Sequence, residues 1–305
     1  MKKTLTKVLA GLCVLAFFTE VSVRLCGAVD FPTYLVDDGI GYIPKPNQHG
    51  AFLRRHAWVF NDRSMGTGSS WNPTARLNIL LIGNSITMGG NPYDQKDKLG
   101  PLIQNEVGNR YAVWPIAAGG WTNVNETAYL DRNPDVAQAT YYFMWEYMSG
   151  GLSSLSEWRG EYVFPKSAPV WAGWYVLRRY ALPLLVSLNM NELPPTGTVN
   201  GTYLARFRAA VAALSKAAKS KEHGLIFFYP KKAEYLSALQ GRDWLPERLE
   251  LERIAHEAGS RILDISRTKE WNETLYKRDG IHPTVQGNAV LAKVLAAAMK
   301  EAIAQ

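Results

Sequence analysis

Two stretches of the chain carry residue types that could act together on a substrate. In "LNILLIGNSITMGGN", Leu77 to Asn91, an aliphatic run drives into a Gly-Asn-Ser triplet that presents Ser85. Far downstream, "YKRDGIHPTVQGNAVL" sets Asp279 and His282 three residues apart on a turn before a helix. A carboxylate at that spacing can sit beside one imidazole nitrogen, leaving the other free to take a proton from a hydroxyl. Taken singly, each element has an ordinary explanation: a serine that caps a helix and a solvated Asp-x-x-His turn. Taken together, in the order Ser, Asp, His, they point to an activated hydroxyl nucleophile. Two rival motifs are excluded. "GNSITMGG" lacks the Gly-Lys-Ser/Thr ending of a phosphate-binding loop, and it lacks the glycine two after the serine of a nucleophile elbow.

The elements around these residues must hold them at one place. Asn78 to Ile82 is a continuous aliphatic run, as expected of a strand buried on both faces. Pro101 to Val107 reads as a short helix, Tyr111 to Ile116 as a strand and Ala139 to Trp145 as another. Leu204, Phe207, Val211 and Leu214 fall at helical spacing. Gly224 to Tyr229 reads as a strand, Leu245 to Ala258 as a helix, "RILDI" as a strand and Val285 to Ala302 as a long helix. Strands alternating with helices imply right-handed crossovers and a mostly parallel sheet covered on both faces, an α/β chain of three layers. Ligands of such sheets lie outside the carboxyl ends of the strands, where Ser85 falls.

The rest of the chain bounds the reading. With 305 residues, 47% of them hydrophobic, it can bury one sizeable core. The formal charge is +7, but from Gly27 onward 30 basic residues stand against 26 acidic ones, scattered rather than clustered, so no nucleic-acid partner is expected. Lys2, Lys3 and Lys7 precede an uncharged run from Val8 to Thr19, followed by Glu20 and Arg24. Residues 1–27 are therefore expected to be a signal peptide or an uncleaved membrane anchor, with the lysines cytoplasmic and the remainder exported, periplasmic or extracytoplasmic. Cys13 and Cys26 are the only cysteines, and Leu12 spoils a lipoprotein box, so the domain has no disulfide of its own. Residues 28–76 read as an irregular lead-in with one or two short strands, such as Ala57 to Phe60. Residues 77–305 form the main domain, interrupted at about 150–201 by an aromatic-rich insertion that contains Arg178 and Arg179. That arginine pair makes a second membrane span over Val170 to Val186 improbable.

With those residues set out, the chain resembles the SGNH (GDSL-like) hydrolases over Leu77 to Ala302. Gly83-Asn84-Ser85-Ile86-Thr87 is similar to the family's Gly-Asp-Ser block, with Asn84 in place of the aspartate. "PIAAGGWTN" is similar to the block that supplies a backbone N–H to an oxyanion, with Gly120 best placed and Gly119 the second choice. Asp279, His282 and Pro283 match the Asp-x-x-His-Pro block. The resemblance implies a flavodoxin-like three-layer fold and ester hydrolysis without metal or organic cofactor. In that chemistry Ser85 is nucleophile, His282 base and Asp279 its orienting partner, with the N–H groups of Ser85 and Gly120 facing the oxyanion. The third block departs: where the family carries an oxyanion asparagine, "FMWEYMSGG" has none, and Glu146 stands roughly in its place. An ionised carboxylate cannot donate a hydrogen bond, so Glu146 is expected to face away, to contact a sugar hydroxyl or to orient another group. Asn84, Trp121 and Glu146 are the candidate substrate contacts. An exported, anchored member with an aromatic insertion looks like proteins that add or remove acetyl groups on bacterial surface polysaccharides. The expected activity is thus carbohydrate deacetylation, with polysaccharide-synthesis proteins as possible partners. The alternatives are O-acetyl transfer to an exopolysaccharide, or a catalytically weak glycan-binding protein.

Overall fold

The computed structural model describes residues 2–74, 77–182, 197–220 and 222–304. The final residues of the lead-in, 75–76, and the stretch 183–196 of the insertion, with the end of the apolar run to Val186, lie outside the described residues. A first helix, α1 (Lys2–Leu25), leads into two antiparallel hairpins: β1 (Tyr34–Asp37) with β2 (Gly41–Pro44), and β3 (Gln48–Phe52) with β4 (His56–Phe60). The lead-in is therefore more regular than its turn-rich text suggests. Short strands that pair only with their sequence neighbours leave a weak periodic signal.

The sheet that carries the site has five parallel strands: β5 (Leu77–Gly83), β6 (Tyr111–Ala117), β7 (Tyr142–Tyr147), β8 (Gly224–Phe228) and β9 (Arg261–Asp264). Their spatial order is β6-β5-β7-β8-β9, so the winding reverses on the two sides of β5. Alternate residues of each strand feed opposite faces, as the two-residue period requires. Leu80, Ile82, Phe143, Trp145, Ile226 and Phe228 pack on one side. That layer includes α4 (Asn123–Arg132), α7 (Gly201–Ala217) and α9 (Arg248–Glu257). Ile79, Leu81, Tyr142, Met144, Leu225 and Phe227 pack on the other, under α3 (Leu99–Val107) and α10 (Val285–Ala304). This is the expected three-layer α/β/α arrangement.

Two starts differ from the sequence reading by three residues, and other boundaries by one or two. The strand expected from Ala139 begins at Tyr142, because α5 (Pro134–Gln138), started by its proline, ends at Ala139 and Thr140 Oγ1 donates back to the Val136 carbonyl. The helix expected from Leu245 begins at Arg248, after a turn in which the Leu245 N–H donates to Asp243.

Candidate functional site

The reversal of winding at β5 opens a crevice at its carboxyl end, and β5 delivers Gly83 and Asn84 directly to it. Ser85 is the first residue of the four-residue helix α2 (Ser85–Met88), capped by the Asn84 side chain, which accepts from the Ile86 N–H. The helix-cap reading and the nucleophile reading therefore divide between neighbours: Asn84 caps, and Ser85 is left free to face the crevice. Ser85 Oγ lies 2.9 Å from His282 Nε2. His282 Nδ1 lies 2.9 Å from Asp279 Oδ2.

The turn holding the acid and the imidazole is fixed from several sides. Asp279 Oδ1 accepts the N–H groups of Ile281 and His282, both at 2.9 Å. Gly280 makes the turn possible with φ +68°, a left-handed conformation that other residues adopt only at a cost. Tyr229 donates to the Ile281 carbonyl at 2.9 Å, and Tyr93 donates to that of Pro283. Burial by itself would raise the Asp279 carboxyl. The two N–H donors and the His282 ring outweigh it and hold the group below its ordinary value.

Gly120 (φ +76°) comes to the same crevice from the loop after β6. A Cβ at that position would stand 2.9 Å from Arg159 Nη2 and 3.1 Å from Tyr42 Oη, so the wall behind it is built for glycine. Tyr42, on the β2 hairpin, donates to the Gly119 carbonyl at 2.6 Å and stacks on Phe164 of the insertion. Gly119 thus turns its carbonyl to the hairpin, and Gly120 is the glycine that lines the cleft. Ser85, Gly120, Asn84, Thr122, Asn123, Met148, Ser149 and Lys231 surround a cavity of about 80 Å³.

Two of the expected substrate contacts turn their side chains inward. Trp121 lines the cavity but has its ring in the core, and its indole N–H donates to the Tyr42 carbonyl at 2.7 Å; the hairpin that covers it comes from distant sequence. Glu146 is buried beneath the turn from Asn84 to Thr87 rather than in the cleft. Its Oε2 accepts from Thr87 Oγ1 at 2.8 Å and from the N–H groups of Asn84 and Thr87 at 3.3 Å each. Of the three roles open to it, orienting another group is the one its contacts fit. Gly83 is required there, since a Cβ would meet the Glu146 carboxylate at 2.3 Å. Asn84 does line the cleft, with its amide nitrogen 3.3 Å from Met148 Sδ.

Sequence reasoning missed Asn123, Glu126 and Lys231. Asn123 donates to the Glu146 carbonyl and to Glu126 Oε2, both at 2.8 Å, so its amide serves the scaffold. Lys231 lies just past the end of β8 and donates to Ser149 Oγ at 3.3 Å on the cleft wall. The strand-end rule that singled out Ser85 could have found it. Glu126 is fully enclosed and accepts the Trp145 indole N–H at 2.6 Å. Burial, and then the charge of Glu146, push its carboxyl well above the ordinary range. Burial also raises Glu146, to about 7, against the pull of its donors from Thr87 and Asn84.

No family model matches the chain, and no curated protein matches its sequence. Solved structures similar to it include an alpha/beta hydrolase enzyme from the metagenome of Lake Arreo, Spain, at 16% identity, covering 75% of this chain and 97% of that one, with a TM-score of 0.46. A lipase/acylhydrolase from Enterococcus faecalis is 15% identical, covering 73% and 95%, with a TM-score of 0.42. A carbohydrate acetylesterase from Sinorhizobium meliloti is 12% identical, covering 74% and 99%, with a TM-score of 0.41. At these values no residue role passes from those proteins to this one.

The buried carboxyls set a pH dependence. Glu126 and Glu146 hold protons more tightly folded than unfolded, so both favour the fold at acid pH. That contribution is lost as pH rises from about 4.5 through the raised folded values. Glu126→Gln, which imitates the neutral acid, should therefore gain thermal stability over the wild type as pH rises from 5 to 8 in nonionic detergent. A difference between the two proteins that stays constant with pH would contradict this. Gly120→Ala should cost about 1–2 kcal/mol for its left-handed backbone, read as a lowered midpoint in urea; an unchanged midpoint would show that the loop adapts.

Proposed function

We propose that the protein is a serine-dependent ester hydrolase that removes short acyl groups, acetyl foremost, from a carbohydrate on the outer side of a membrane. The observation that carries the reading is the row Ser85 Oγ–His282 Nε2–Asp279, with both links at 2.9 Å, at the carboxyl edge of a parallel sheet. His282 takes the Ser85 proton as Oγ attacks the ester carbonyl. Asp279 keeps the Nδ1–H tautomer and steadies the imidazolium that forms. The oxyanion faces the backbone N–H groups of Ser85 and Gly120. Collapse expels the alcohol, which leaves with the proton from His282, and a water activated by the same ring releases the acid from Ser85.

The remaining features support the finer parts of the reading. A cavity of about 80 Å³ beside Ser85 suits an acetyl group and leaves little room for a long chain. Lys231, Ser149 and Thr122 offer polar contacts at its mouth, as a sugar would need. Glu146, which stands near the place of the family asparagine, has no amide with which to complete the oxyanion site. Glu146 and Asn123 are engaged elsewhere, and loss of one such donor costs on the order of 100-fold in rate. Turnover is accordingly modest. Helix α1 supplies the anchor, because Lys3 to Leu25 is long and apolar enough to cross a membrane. With Lys2, Lys3 and Lys7 on the cytoplasmic side, the domain from Gly27 onward is exported. Transfer of the acetyl group to a second sugar hydroxyl would use the same acyl-enzyme, with the hydroxyl in place of water.

Full-length protein in detergent should release acetate from an aryl acetate, with kcat/KM at least about tenfold higher than for the hexanoate. Ser85→Ala should lower that release by about a thousandfold or more, without lowering the unfolding midpoint. Equal rates on both chain lengths would rule out the small acyl cavity. Activity surviving in Ser85→Ala would rule out the nucleophile. Acetate that appears on an added polysaccharide rather than in solution would assign transfer.

A further inference from the structure

We infer that the segment Pro169–Ala181 of the insertion is a second membrane contact, seated in the lipid headgroup interface beside α1. The inference rests on the reading of α1 as an anchor and adds to it. The first step is one of length. The uncharged run Val8 to Thr19 has 12 residues, about 18 Å of helix, against a hydrocarbon core of about 30 Å. Lys3 to Arg24 spans about 32 Å of helix. A bilayer crossed by α1 must therefore reach the level of Glu20 and Arg24.

At that level α1 is bonded to the insertion. Glu20 accepts the N–H groups of Ala172 and Gly173 at 3.0 and 2.8 Å, the first two amides of α6 (Ala172–Val176). Arg24 donates to the carbonyls of Pro169 and Val170 at 3.0 and 2.8 Å, and to Glu20 itself at 2.7 Å. The two charges neutralise each other, and their polar atoms are occupied by backbone. This is how an ion pair can stand at a membrane boundary without the full cost of losing water. Gly173 allows the close approach, since a Cβ there would lie 3.2 Å from Thr19 Cγ2.

The surface so positioned is apolar and bare. Val170 is 84% exposed, Trp171 72% and Trp174 50%. With Leu177 they face Leu12, Leu15 and Ala16 of α1 across an open groove. The helix continues as a π-helix over Leu177–Ala181, whose arginines turn back to the body of the protein. Arg178 lies over the Tyr162 ring at 4.1 Å, and Arg179 donates to the Val163 carbonyl at 3.1 Å. The segment is thus amphipathic, and tryptophan is the residue type that favours the headgroup level. Half of the groove is α1 itself, so the apolar surface of the insertion continues the lipid-facing surface of the anchor. That continuity commits the occupant to a bilayer, and it requires α1 to remain attached.

The test uses the full chain with Cys13 and Cys26 changed to serine, reconstituted in vesicles of three parts phosphatidylethanolamine to one part phosphatidylglycerol. Single cysteines at Trp171→Cys, Trp174→Cys or Leu249→Cys, and the native Cys13 alone, each carry a polarity-sensitive fluorophore. Lipids with a nitroxide high on the acyl chain serve as quenchers for 171, 174 and 249, and lipids with one near the methyl end serve for 13, which lies near the middle of α1. Leu249 is 81% exposed on α9 and serves as the aqueous control. The expected result is a blue shift and at least twofold quenching at 171, 174 and 13, with neither at 249. Quenching at 13 but none at 171 and 174 overturns the inference and leaves the anchor standing. Absence of quenching at 13 as well overturns both. A blue shift at 171 and 174 without lipid quenching overturns the inference in favour of a protein partner or a second copy on that face.

Discussion

The carboxylate of Glu146 accepts three hydrogen bonds from a single turn, and the position of Ser85 depends on it. Its Oε2 holds Thr87 by side chain and backbone and Asn84 by backbone, so the two residues that bracket Ser85 are tied to the floor of the sheet. The tie demands glycine at position 83, where any side chain would occupy the carboxylate's own space. It also demands burial of an acid, which explains the raised affinity of Glu146 for a proton. Glu126 and Asn123 continue the network behind it: Asn123 bridges the β7 backbone to Glu126, and Glu126 receives the Trp145 indole. An ionisable residue in the centre of the sheet thus anchors the turn that presents the hydroxyl.

The second wall of the cleft is made by parts of the chain that no α/β sheet requires. The β2 hairpin brings Tyr42 to the Gly119 carbonyl, and the insertion brings Phe164 against Tyr42 and the Arg159 side chain behind Gly120. The same insertion receives Glu20 and Arg24 of α1 a few residues later. One continuous segment therefore contacts both α1 and the loop that carries Gly120. Helix α1 and the cleft are linked through it, because displacing the insertion would remove support from Gly120.

Much of this was legible from residues alone, and the exceptions share a cause. Asn78 to Ile82 reads as a doubly covered strand because aliphatic side chains on both faces have no other use. Ser85 and the Asp279–His282 turn read as a reacting set because their spacing serves proton transfer. Trp121 lines the cleft as read, but the burial of its ring was not legible, since an aromatic in a glycine-rich loop gives no local sign that a hairpin nearly eighty residues earlier will cover it. Glu146 was placed near the reaction for the same reason. Its partners are Asn84, just past the end of β5, and Thr87 of α2, and only the β5–β7 register sets its carboxylate below Asn84 rather than above it. The strand limit at Tyr142 depended on a helix started by Pro134, a signal present in the text but outweighed by the β-rich run after it. Lys231 was overlooked although it stands at a strand end, because a lone lysine beside a second lysine looks like a solvated face.

The claim that Ser85 is a nucleophile activated by His282 is tested most directly by covalent capture. The full-length protein would be mixed with an activated alkyl phosphonate ester, and the intact mass and peptide map recorded over time. The account predicts a single adduct, on Ser85, formed at least about a hundredfold more slowly when His282 is replaced by alanine. A protein that stays unmodified, or that carries the adduct on another residue, would contradict it.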